Sequence, residues 1–90
     1  MSTDLKSVRE LQISIIKKHI ENLARQYRDL NEKARVLGRV AVQSEAIEKK
    51  LNIIKSRIEK LRKLLQQLVE EKITPEEARR IIEQYRLYEV

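Results

Sequence analysis

Between Ile13 and Leu68 the apolar residues recur at spacings that alternate three and four, the mark of one buried stripe along an α-helix. The first run is Ile13, Ile16, Ile20, Leu23, Tyr27, Leu30 and Ala34; the second is Ile47, Leu51, Ile54, Ile58, Leu61, Leu65 and Leu68. Paired from the middle outward, Ala34 with Ile47 through to Ile13 with Leu68, the two residue numbers of every rung total 81. A constant total is what antiparallel helices require, because one ladder descends as the other climbs. The pattern predicts an all-α fold built on a long, coiled-coil-like antiparallel helical hairpin.

Local signals divide the chain, read as a single helical domain over residues 1–90, into three helices. Helix 1 is expected at about 5–37, capped by Asp4 or by a Ser7–Glu10 capping box and free of Gly and Pro. Gly38, the only glycine, falls where a helix end tolerates positive φ, and opens a turn expected at 38–43. Ser44 is a cap for helix 2, expected at about 45–72. The Val40-Ala41-Val42 stretch is poor turn chemistry, so the competing reading is one continuous helix through the Gly38–Gln43 segment that pairs with a second chain. Thr74-Pro75-Glu76-Glu77 combines a cap, a first-turn proline and a capping-box glutamate, and starts helix 3, at about 75–88. Ala78, Ile81, Ile82, Tyr85 and Tyr88 form its expected buried face.

The apolar stripe is wider than a two-helix seam needs. Ile15, Val36, Ile53, Leu64 and Val69 lie beside the ladder, and a short third helix covers less than half of a long hairpin. Self-association is therefore expected, most simply as a homodimer with a four-helix core, using those five residues as the oligomer interface. On that expectation Ile53→Lys dissociates the assembly while leaving helicity mostly intact.

Composition narrows the class. A chain of 90 residues buries a limited core, and the absence of cysteine excludes disulfides, zinc-thiolate sites and thiol nucleophiles. With 38% charged and 3% aromatic residues, one Gly and one Pro, the profile is that of long helices, and its Ile-rich, ion-pairing character is thermophile-like. The start at Met1 shows no basic-then-apolar leader, and no apolar run approaches the roughly 18 residues of a membrane span. A cytoplasmic protein with no membrane association is expected.

The net charge of +6 is concentrated on helix 2. Lys49, Lys50, Lys55, Arg57, Lys60, Arg62 and Lys63 face only Glu48 and Glu59 between residues 46 and 69. In an antiparallel hairpin the flanks of the seam meet their own kind, bringing Lys33 near Lys50 and Lys17 near Arg62, a repulsion that something negative should relieve. These seven basic residues are the candidate nucleic-acid-binding set. The competing account is a solvated surface with local pairs such as Glu21–Arg25, Asp29–Lys33, Glu45–Lys49 and Glu59–Lys63. No aromatic residue lies among the basic ones for base stacking. A helix-turn-helix with Arg79, Arg80, Gln84 and Arg86 as its recognition face would also carry Glu76, Glu77 and Glu83, which repel phosphates.

Chemistry is sparse. His19 is the only histidine, and the position three before it, where a bundle di-metal site would place an acid, is Ile16. Glu70-Glu71 and Glu76-Glu77 are adjacent on a helix and point about 100° apart, poor geometry for sharing a proton or an ion. No catalytic residue, cofactor or metal is expected. Val8-Arg9-Glu10 resembles the opening helix of the small all-helical chorismate mutases, which implies an enzyme of that class. The later basic residues of helix 1 depart from that family's pattern, and Ala41–Glu48 lacks its acidic-arginine segment. Leu65, Leu68, Ile73-Thr74, Glu76-Glu77 and Ile81 resemble the short C-terminal helical-hairpin domains called SHOCT, a pattern linked to oligomerisation; Lys72 stands where that family has glycine. The functional expectation is a non-catalytic assembly or adaptor protein acting through self-association and contacts with an unidentified protein partner. The alternative is a small basic nucleic-acid-binding protein using helix 2.

Overall fold

A computed structural model describes residues 5–37 and 41–89. The chain is all-helical: α1 spans Leu5–Leu37, α2 Ala41–Val69 and α3 Pro75–Tyr85. The described body measures 58 × 19 × 19 Å, close to the length of α1 alone, about 50 Å at 1.5 Å per residue.

The ladder positions make the core. Ile16, Leu23, Ile54, Leu61 and Leu68 are buried in one cluster with Leu64, Ala78, Ile82 and Leu87. Arg9, near the start of α1, donates through its guanidinium to the carbonyls of Leu68 (2.9 Å) and Ile73 (2.8 Å). Leu30 and Lys33, near the end of α1, share a hollow with Lys50 and Ile54, near the start of α2.

Helix boundaries differ from the sequence reading at three places, the two ends of α2 and the end of α3. Ser7 lies inside α1, while Asp4 and Gly38 lie outside the described residues. Residues 41–43, expected in the turn, belong to α2, and Ser44 is therefore interior and not a cap. Ala41-Val42-Gln43 contains nothing that opposes helix, so the helix extends back through it.

At its other end α2 stops at Val69, short of 72, because Glu71 takes a left-handed conformation (φ 58°). Its N–H bonds to the Leu68 carbonyl (3.1 Å) and that of Lys72 to Gln67 (2.8 Å), a paired closure that satisfies two of the last carbonyls of the helix. α3 ends the same way. Arg86 is left-handed (φ 50°), its N–H reaches Glu83 O (3.3 Å), and Leu87 N–H reaches Ile82 O (3.0 Å). The reversal tucks Leu87 fully into the core, where Ile82 is also buried. Tyr85, expected in the buried face, is left 50% exposed, while Tyr88 packs partly buried from beyond the end of the helix.

The start of α3 follows from its own residues. The Glu77 N–H donates to Thr74 Oγ1 (3.0 Å), and Pro75 fills the first helical position, where no N–H is needed. The Glu77 carboxylate accepts from the Thr74 hydroxyl (3.1 Å) in place of the backbone contact that a full capping box would make.

Candidate functional site

The seam between α1 and α2 has two flanks, and only one is covered. Residues step 100° around a helix, so Gln26 and Lys33 project to one side of the seam and Ala24 and Arg28 to the other. α3 and the segment after it occupy the first side. Leu64 is buried there, in the same apolar cluster as Ala78, Ile82 and Leu87. The imidazole of His19 stacks on the Tyr88 ring, centroids 3.5 Å apart and planes 10° from parallel. Arg57 Nε donates to the Glu89 carbonyl (3.3 Å), and Lys60 Nζ lies 5.3 Å from the centre of the Tyr85 ring.

On the other flank no third element covers the ladder. Ile13, Ile20, Tyr27, Leu51, Ile58 and Leu65, every second rung of each helix, are half-buried; on the α3 side Ile16, Leu23, Ile54, Leu61 and Leu68 are buried, and Leu30 and Ile47, toward the α1–α2 connection, are half-buried. Midway along it, Ala24, Tyr27 and Ile58 floor a hollow of about 350 Å³ rimmed by Arg28, Lys55, Glu59 and Arg62. The hollow exists because Ala24 stands where its heptad equivalent Lys17 carries a long side chain.

The five expected interface residues do not form one face. Leu64 is 5% exposed and lies within the chain's own core, because α3 docks on the flank it occupies. Ile15 is partly exposed, Val36 is 77% exposed, Ile53 42% and Val69 59%. Ile53 and Val69 lie about 160° apart around α2, so no single planar contact uses both.

The basic residues of α2 are likewise divided among different environments. Lys49 pairs with Glu45 (3.8 Å), Arg57, Lys60 and Lys63 lie on the α3 side, and Lys55 and Arg62 rim the bare flank. Lys50 shares its hollow with Lys33, a like-charge approach moderated by Asp29 in the same hollow. Among the described residues the ion pairs within 4.0 Å include Glu45–Lys49 but not Glu21–Arg25, Asp29–Lys33 or Glu59–Lys63. On the candidate recognition face of α3, Arg79 pairs with Glu83 (3.2 Å) and Arg80 with Glu76 (4.0 Å), which neutralises it.

His19 and Tyr88 pack against each other. Partial burial, and then the neighbouring Lys18 ammonium, hold the His19 pKa below its ordinary 6.5. Burial raises the Tyr88 phenol above 10.0, and its buried hydroxyl has no hydrogen-bond partner. Among the described residues no group of three or more His, Cys, Asp or Glu is placed to hold a metal ion, and no helix is long and apolar enough to cross a membrane. Arg9, the centre of the chorismate mutase-like tripeptide, is directed at two backbone carbonyls. Comparison with protein-family models, curated proteins and solved structures finds no match to this chain.

Proposed function

We propose that the chain is a non-catalytic assembly module: an antiparallel helical hairpin that carries α3 on one flank of its seam and pairs with a second copy, as a dimeric helical bundle, through the other. The antiparallel reading is supported by Arg9 meeting Leu68 and by Lys33 sharing a hollow with Lys50. It is supported too by the 58 Å length, since a continuous rod from Leu5 to Val69 would measure about 100 Å.

The observation that carries self-association is the row of half-buried seam residues Ile13, Ile20, Tyr27, Leu51, Ile58 and Leu65 on the bare flank. Apolar area left in water at roughly 25 cal/mol per Å² is a driving force for a contact that removes it. Light scattering across a concentration series tests the reading: a mass of two chains is expected, and a monomer at every concentration overturns it. Chorismate turnover by the pure protein would overturn the non-catalytic assignment.

The second reading is binding of nucleic acid along α2, favoured by the approach of Lys33 to Lys50 and of Lys60 to Lys63 around shared hollows. Titration with duplex DNA and RNA at several salt concentrations separates the two. Micromolar binding that falls steeply with salt supports this reading, and no binding at low salt eliminates it.

A further inference from the structure

The bare flank carries a charge pattern that selects its occupant. Along the middle of the hairpin the exposed charged residues on this flank form three bands: Lys17 with Arg62, then Glu21 with Glu59, then Arg28 with Lys55; one heptad further, Arg35 and Glu48 follow with opposite signs, Arg35 already paired with Glu32. Within each of the three bands the two residues come from different helices and share a sign. Among the described residues none of the six lies within 4.0 Å of an opposite charge in its own chain, so all are free to pair elsewhere.

Two symmetric ways exist to lay a second copy on this flank. A two-fold axis parallel to the helices stacks α1 on the second copy's α2 at equal height. That sets Lys17 on Arg62, Glu21 on Glu59 and Arg28 on Lys55, like charge on like charge in all three bands. A two-fold axis perpendicular to the helices stacks α1 on α1 and α2 on α2 with direction reversed. Opposite bands then meet if the axis lies midway between the glutamate band and the Arg28–Lys55 band. On α1 the midpoint of Glu21 and Arg28 falls between Ala24 and Arg25; on α2 the midpoint of Lys55 and Glu59 falls at Arg57. Ala24 and Arg57 share a rung, so two independent pairs on two helices specify one axis. That axis passes through the hollow floored by Ala24, where the small side chain lets two backbones approach.

We infer that a second copy of this chain docks on the bare flank about a two-fold axis perpendicular to the helices at Ala24, with Glu21 facing Arg28 and Glu59 facing Lys55 across the contact. The inference rests on the antiparallel, self-associating reading above and adds to it the face, the axis and the register. Lys17 then lies at the level of Asn31 and Glu32, and Arg62 opposite Asn52, so neither meets a like charge. Ile53 lies off the contact, which separates this surface from the one the extra apolar residues suggest.

The test measures the dimer constant of the full chain by sedimentation and light scattering. Arg28→Glu combined with Lys55→Glu is expected to weaken dimerisation about tenfold or more at unchanged helicity. Adding Glu21→Arg and Glu59→Lys to that variant reverses both facing bands together and is expected to restore the constant to within about threefold. Because the natural chain lacks cysteine, a second measurement needs no charge change: Ala24→Cys is expected to be joined into a covalent dimer by a short bis-maleimide, and Ile53→Cys is not. A dimer indifferent to the Arg28→Glu, Lys55→Glu double substitution, a loss without rescue, or cross-linking at residue 53 in preference to 24 overturns this inference and leaves self-association standing. A wild-type monomer at every concentration removes both.

Discussion

Arg9 holds two ends of the molecule together with one side chain. Its guanidinium donates to the Leu68 carbonyl in the last turn of α2 and to the Ile73 carbonyl in the connection to α3. Hydrogen bonds from a charged donor contribute about 1.5 to 3 kcal/mol, so Arg9→Ala is expected to lower unfolding stability by about 2 to 3 kcal/mol in denaturant titration, with Arg9→Lys recovering part of the loss. Nothing in the sequence marks this role. The partners are main-chain atoms roughly 60 residues away, and periodicity reports only on side chains. The single signal is that Arg9 stands four residues before Ile13, in line with the apolar rungs.

His19 offers a pH test at the same scale. Its folded pKa lies below the unfolded 6.5, so the unfolded chain binds the proton more readily than the folded one. Stability is therefore fully present above about pH 6.5 and falls as pH drops through the folded pKa. His19→Phe, which keeps a ring against Tyr88, should flatten that fall in melts recorded between pH 7.5 and 5.5. The chain pattern marks His19 as beside the ladder; its stacking on Tyr88 depends on the path beyond α3, which the sequence does not display.

The helix ends show what a local signal can and cannot convey. Thr74-Pro75-Glu76-Glu77 is legible because every partner lies within four residues, and the Thr74–Glu77 bond forms in the structure. Thr74→Ala should cost about 1 kcal/mol, read as a drop in melting temperature of about 4 to 8 °C. The stops at Glu71 and Arg86 are not legible, because glycine is the usual mark of a left-handed residue and neither is glycine. Replacing Glu71 by Gly removes its steric penalty at the expense of a floppier unfolded chain, and is expected to raise stability by about 0.5 to 1 kcal/mol. Leu64, expected at an oligomer interface, is buried within its own chain for a related reason. Its spacing shows that it flanks the seam, but which flank α3 covers depends on the turn geometry set by Glu71 and on the fold-back at Leu87.

For the whole molecule, the decisive comparison is between two isoleucines on one helix. Ile58→Lys puts a charge on the bare flank and is expected to halve the mass in light scattering, while Ile53→Lys, on the outer face, leaves it unchanged. The opposite pattern would restore the surface read from the extra apolar residues. Periodicity made the helices and most core residues legible, since Ile16, Leu23, Ile54, Leu61 and Leu68 are ladder positions and all are buried. It could not separate the two sides of the ladder, because alternate rungs look alike until a third element shields one of them.

That one-sidedness limits how large an assembly can grow. On the proposed pairing, a slab that carries α3 over part of one side offers its other side, and once two such slabs close on each other both α3 helices face outward. The outward sides then present less apolar surface than the closed ones, so raising the concentration should fill a plateau at two chains. Stripping α3, by cutting the chain before Thr74, would bare Leu64 and should turn that finite pair into an open-ended aggregate.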